Sequence, residues 1–122
     1  MKNIIIDLFT ETHELPLTAF KSRIQEIKGD YDFFFPAKGI EDTNILLISG
    51  VNKEFISVFN ALIGDNILTF EPCSFLVVNF DGGEIYDLPL AKAKKLDYKT
   101  PHWLPLLIKR GKNFVVSKNI NR

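Results

Sequence analysis

Residues 42–91 read DTNILLISGVNKEFISVFNALIGDNILTFEPCSFLVVNFDGGEIYDLPLA, and the reading of this stretch decides the fold. Its centre, NKEFISVFNALI at 52–63, predicts a helix. Phe55, Ile56, Phe59, Leu62 and Ile63 recur at spacings of three and four, which gathers them on one helical face. Asn52 suits the N-cap, where its side-chain oxygen can accept from a free amide of the first turn. Gly64, Asp65 and Asn66 supply a stop. Upstream, Ile45-Leu46-Leu47-Ile48 fits a helix leading into a turn at Gly50, and it also fits a buried β-strand. Downstream, Ile67–Phe70 and Phe75–Phe80 read as strands. Asp81-Gly82-Gly83 reads as a hairpin turn, because glycine accepts positive φ at no steric cost. Glu84–Leu88 then alternates polar and apolar as the returning strand.

With Ile45–Ile48 taken as helical, Ile45, Gly50, Val51, Ile56 and Phe59 fall where a helix-turn-helix places its apolar residues and its tight-turn glycine. Leu46 and Leu47 depart from that pattern, which prefers a small residue and then a polar one. The run from helix through strand to a DGG-linked pair resembles a winged helix. The resemblance implies an α+β fold: a winged helix-turn-helix-like single domain with a β-rich basic C-terminal extension. Its core would span 1–91, and the basic aromatic extension 92–122 would pack on or beside it. Winged helices serve duplex DNA, single strands and protein contacts, so the fold leaves function open. In overall look, tied to no specific motif, the chain also resembles a small replication accessory protein of a mobile element or phage. That resemblance implies a larger polymerase, primase or helicase as partner.

Towards the N-terminus, Asn3–Phe9 is a strand or a short helix, with its β-branched residues favouring a strand. Pro16 suits a first helical turn, and Leu17, Phe20, Ile24 and Ile27 follow at helical spacing. Tyr31–Phe35 is a strand or an aromatic plug ahead of Pro36, which pushes its predecessor toward extended geometry.

Charge is the most informative global feature. The chain has 15 Lys plus Arg and 15 Asp plus Glu, a formal net charge of zero. Nine of those bases and one acid lie in 91–122, so a segment of +8 follows a body of −8. A basic end suits a polyanion; an acidic body suits a protein partner or plain solvation. A hydrophobic content of 46% places the chain among folded proteins rather than disordered ones. Eleven Phe make a bulky core, with some rings available to a partner. The single cysteine, Cys73, has no disulfide partner and reads as a small apolar residue. Asp7 interrupts the N-terminal apolar run, and no run approaches the roughly 20 residues of a membrane span. These features lead to the expectation of a cytoplasmic protein without a membrane partner.

The strongest candidate site is the basic aromatic segment 92–112. Lys and Arg hold phosphates, and exposed rings stack single-stranded bases. Lys92, Lys94, Lys95, Lys99, Lys109, Arg110 and Lys112 supply charge; Tyr98, His102 and Trp103 supply rings. The plain alternative is that Trp103 packs on the core and the lysines solvate the surface. The helix at 52–63 offers only Lys53, Glu54, Ser57 and Asn60 outward, a poor set for reading base edges. His13 and His102 lie in no recognisable motif. The acidic pairs Asp30/Asp32 and Glu41/Asp42, with a lysine, are carboxylates that a metal-dependent nuclease could use, which keeps a small metal-dependent enzyme as a third, minor reading. No phosphate loop or dinucleotide motif is present. The expectation is a non-enzymatic protein without cofactor or metal. It would bind nucleic acid, single-stranded more than duplex, beside a larger enzyme; the alternative is a winged-helix adaptor or inhibitor that binds protein only.

Overall fold

The structure is a computed structural model that describes residues 1–36, 43–92 and 95–115. The chain is α+β. Helix α1 is Lys2–Glu11, and strand β1 is Glu14–Pro16. The one-turn helix α2, Phe20–Arg23, lies between 3-10 turns at Leu17–Ala19 and Gln25–Ile27. Strands β2 and β3 are Lys28–Phe34 and Ile45–Val51, and helix α3 is Lys53–Gly64. Strand β4, Leu68–Pro72, precedes helix α4, Phe75–Phe80. Strands β5 and β6 are His102–Trp103 and Leu106–Arg110. Two three-stranded sheets form, in the orders β1-β6-β4 and β2-β3-β5. The first is antiparallel throughout; in the second, β3 runs antiparallel to β2 and parallel to β5.

Helix α3 forms as its periodicity predicts. Phe55, Phe59 and Leu62 are buried, and the Asn52 side-chain oxygen Oδ1 accepts from Phe55 N–H at 2.8 Å. The left-handed residue that ends it is Asn66, at φ 58°, rather than Gly64. Around this helix an aromatic core closes. Phe20 meets Phe9, Phe55 and Phe59 at centroid distances of 5.7, 6.0 and 6.2 Å, and Phe33 meets Phe59 at 5.8 Å. These tilted and edge-to-face contacts tie α1, α2, α3 and β2 together, each worth about 0.5–1.5 kcal/mol beyond its buried area. The sequence 17–27 forms broken turns rather than one helix. Ile24 is extended at φ −132°, and Asn52 draws the Glu26 and Ile27 carbonyls away from any helical ladder. Even so Leu17, Phe20, Ile24 and Ile27 are all buried. Residues 2–11 are helical despite their β-branched side chains, because Ile5 and Phe9, one turn apart, both enter the core.

The winged helix-turn-helix expectation fails at two elements. Ile45–Val51 is the middle strand of its sheet, with Ile45 to Ile48 buried in succession, so no helix precedes the turn. A strand covered on both faces reads as a continuous apolar run, which is why this segment mimicked a helix. Phe75–Phe80 is a helix, not the first strand of a wing. The Ser74 hydroxyl caps its start by accepting from Leu76 N–H. At its end, Gly82 lies at φ 76° while Gly82 and Gly83 donate to the carbonyls of Asn79 and Val78. That is a Schellman stop. It uses the same positive φ as a hairpin, so Asp81-Gly82-Gly83 caps a helix and Glu84–Leu88 forms no returning strand. The segment expected as an extension is woven into the body: β6 is the central strand between β1 and β4, and β5 extends the second sheet.

Candidate functional site

The predicted basic aromatic residues separate into three groups. Lys92, Lys95, Tyr98 and Lys99 share the loop that leads into β5, and His102 is the first residue of that strand. Tyr98 stacks on His102 with ring centroids 3.8 Å apart and planes at 24°, and the Lys95 ammonium lies 5.3 Å from the Tyr98 centroid. Within the loop Lys92 N–H donates to the Tyr98 hydroxyl, and from outside it Asn44 Nδ2 donates to the Tyr98 carbonyl at 3.0 Å. His102 Nδ1 lies 2.8 Å from the Thr100 carbonyl. Lys95 is paired with Asp97 at 3.0 Å and holds that carboxyl below its usual range, chiefly through their hydrogen bond. Lys92 and Lys99 are exposed. Lys94 lies outside the described residues.

Trp103 corrects an expectation. The indole is 1% exposed and packs edge-on to Tyr86 at 5.3 Å, so it offers no face to a base. Sequence alone placed it beside lysines; the parallel pairing of Leu46 with Trp103 is what turns it inward. Lys109 and Arg110 form the third group, on β6, and both are engaged. Lys109 pairs with Glu71 across the strands at 3.2 Å. Arg110 donates to the carbonyls of Phe9 and Thr10, at 2.7 and 3.1 Å, at the C-terminal end of α1, where the helix dipole favours a cation. Lys112 is exposed just beyond β6.

A surface that the sequence reading missed lies on α4. Read as a strand, this segment would have hidden half its side chains. As a six-residue helix it buries only Val78. Phe80 is 93% exposed and Leu76 64%, with Phe75 and Val77 also exposed. Contiguous apolar side chains of this size on a surface mark contact sites. The surrounding sequence is one-signed: residues 54–91 hold six acids and no Lys, Arg or His. Cys73, next to the helix, has its thiol pushed up by burial and then by the carboxylates of Glu71 and Asp81, which disfavours the thiolate.

The segment after α4 is fastened to the body through Glu84. Its carboxylate accepts from Lys21 Nζ and from the Tyr86 hydroxyl, each at 2.9 Å, and its carbonyl accepts from the Thr18 hydroxyl at 2.9 Å. Tyr86 in turn accepts from Ser49 N–H at 2.9 Å, while Lys21 donates to the Ser49 carbonyl at 2.7 Å. Burial, reinforced by Glu84 and Asp32, raises the Tyr86 phenol above its ordinary value. Ser49 also donates to Asp32 at 2.6 Å. These fastenings give α4 a fixed position from which to present its apolar face.

Among the described residues no group of three or more His, Cys, Asp or Glu could hold a metal ion. None of their helices is long and apolar enough to cross a membrane. No family model matches the chain, and no curated protein or solved structure matches it either.

Proposed function

We propose that this protein acts by docking, as a small adaptor or accessory protein whose contact surface is the outward face of α4. The observation that carries this reading is Phe80, 93% exposed beside Leu76 on a helix pinned in place on both sides. Leaving such rings in water forgoes roughly 1.5–3 kcal/mol for each side chain that a partner would bury. The partner is a protein with an apolar strip flanked by cations. Two copies meeting through α4 would bring two acidic 54–91 segments together, whereas a basic rim complements that segment. Neither a helix-turn-helix nor a catalytic group enters this reading. The test is a photo-reactive side chain placed at position 80, with position 57 on the outer face of α3 as control. Cross-links in cells should form at 80 alone and vanish with Leu76→Ser. Equal cross-linking from both positions, or from neither, rejects it.

A second reading has its own support. The Tyr98–His102 stack among Lys92, Lys95 and Lys99 is a small platform for a single-stranded nucleic acid. It keeps half of the predicted basic segment and does without Trp103. Both functions coexist in an accessory protein that holds a strand with one surface and an enzyme of replication or processing with another. Oligonucleotide retention at low salt, lost on neutralising Lys92, Lys95 and Lys99 together, tests it.

A further inference from the structure

A cavity of about 530 Å³ opens between α2, the start of β2, the end of β3 and the turn after α4. Neither proposed function uses it. Much of its wall is backbone: Gly29, Gly50 and Gly82 line it, and the last two hold positive φ. A Cβ on Gly50 would lie 2.8 Å from Lys21 Nζ, so the glycine is what lets the ammonium occupy its place. The lysine side chain is 15% exposed, and Ser49 and Glu84 hold it at the cavity's edge. Lys28 adds a second ammonium, with no ion pair among the described residues. Ser22 also lines it, with its hydroxyl donating to the Ala19 carbonyl at 2.8 Å. One anionic group already sits here, the Glu84 carboxylate, and it is 46% exposed rather than sealed in.

We infer that this cavity is a binding site for a small phosphate monoester, with the Glu84 carboxylate as the internal anion that the ligand displaces from Lys21. A phosphate dianion brings more charge and more acceptor oxygens than a carboxylate, so it bridges Lys21 and Lys28 where Glu84 reaches only the first. The Ser22 proton is engaged by the Ala19 carbonyl, so the two ammonium groups supply the side-chain donors to the phosphate. The volume is at the scale of small-ligand sites and leaves room for a short carbon skeleton beyond the phosphate. Once released, Glu84 keeps its bond to Tyr86, so displacement does not strand a buried charge.

The test is a titration of the isotope-labelled full chain with inorganic phosphate and with glycerol phosphate, at constant ionic strength balanced by chloride. Saturable amide shifts should appear at Ser22, Gly29, Gly50 and Gly82 with both probes. Lys28→Ala, at an exposed position that leaves the core alone, should weaken the midpoint roughly fivefold, the scale of one charge contact of about 1 kcal/mol. Glu84→Gln removes the competing anion and should tighten the midpoint by a similar factor. The dispersion of each variant's spectrum reports its fold in the same experiment. Shifts that never saturate, shifts that chloride alone reproduces, or a Glu84→Gln midpoint equal to or weaker than the parent overturn the site. So does a Lys28→Ala midpoint that does not move.

Discussion

Tyr86 lies edge-on to Trp103 at 5.3 Å, with its hydroxyl between Ser49 N–H and the Glu84 carboxylate. One residue thereby seals the only indole of the chain and fastens the segment that carries α4. Because burial first, and nearby carboxylates second, raise the Tyr86 phenol, the folded protein keeps this proton after the unfolded chain has lost it. A raised pKa gives a contribution to stability that is complete below the ordinary tyrosine value and is lost as pH climbs above it. Stability should therefore fall above about pH 10. Urea midpoints measured up this alkaline limb should show the fall, and Tyr86→Phe should flatten it. An alkaline limb identical in the two proteins removes Tyr86 as its cause.

The burial of Trp103 gives a second expectation. Trp103→Ala should cost about 3–5 kcal/mol, as truncations of large buried aromatics do, and Trp103→Phe considerably less. The indole emission should be blue-shifted and poorly quenched by acrylamide. Oligonucleotide should leave it unchanged even where binding is measurable by other means. Strong quenching on adding oligonucleotide would place the ring at the surface, against its observed position.

On α4, the outward and inward residues should separate cleanly. Leu76→Ser and Phe80→Ser should each change stability by no more than about 0.5 kcal/mol, since they remove nothing that is packed. Val78→Ala, at the one buried position of the helix, should cost about 1–2 kcal/mol. Gly82→Ala forces a side chain into φ 76° and should cost about 1 kcal/mol although open space surrounds it. Thermal or denaturant unfolding of the four variants is enough. Destabilisation of several kcal/mol by Phe80→Ser would mean that the ring is packed after all.

How far the sequence was readable follows from where each structural signal sits along the chain. Helix α3 was legible because its cap, its period and its stop are all local to 52–66. Ile45–Ile48 was ambiguous because a strand buried on both faces has no alternation to declare it. The glycines at 82 and 83 announced positive φ correctly, but a hairpin and a Schellman stop share that requirement. Ser74, a good N-cap eight residues before Gly82, was the local signal that favoured the helix. The candidate surfaces were harder. Whether Trp103 faces in or out depends on its pairing with β3, and the Lys21–Glu84 contact joins segments remote in sequence. Neither leaves a local mark. The charge asymmetry was plain, yet charge counts do not reveal that Arg110 caps α1 and that Lys109 answers Glu71.

Arg110 should behave as a structural residue. Its two bonds to the Phe9 and Thr10 carbonyls meet otherwise unpaired acceptors at the end of α1. Arg110→Met keeps the apolar stem and removes the donors, and should cost about 1–2 kcal/mol. Lys109→Met, which loses a partly exposed ion pair with Glu71, should cost under about 1 kcal/mol. Both variants should retain whatever oligonucleotide binding the parent shows. Loss of binding with full stability in Arg110→Met would return β6 to the candidate interface.

The salt dependence of that binding is the sharpest measure of the loop. If the platform is Lys92, Lys95 and Lys99 around the Tyr98–His102 stack, about three phosphates are neutralised. A plot of log affinity against log salt should then have a slope of roughly −2 for a single strand. The full predicted set of seven cations would give roughly −5. Tyr98→Ala should remove the stacking face and weaken binding by roughly 1–3 kcal/mol while leaving the slope unchanged, because a ring neutralises no phosphate. Lys99→Ala should do the reverse, lowering the slope by about 0.7 with a smaller loss at high salt. A slope near −5 would show that cations beyond the loop take part, Lys112 among them. A slope near zero would leave α4 as the surface through which this protein works.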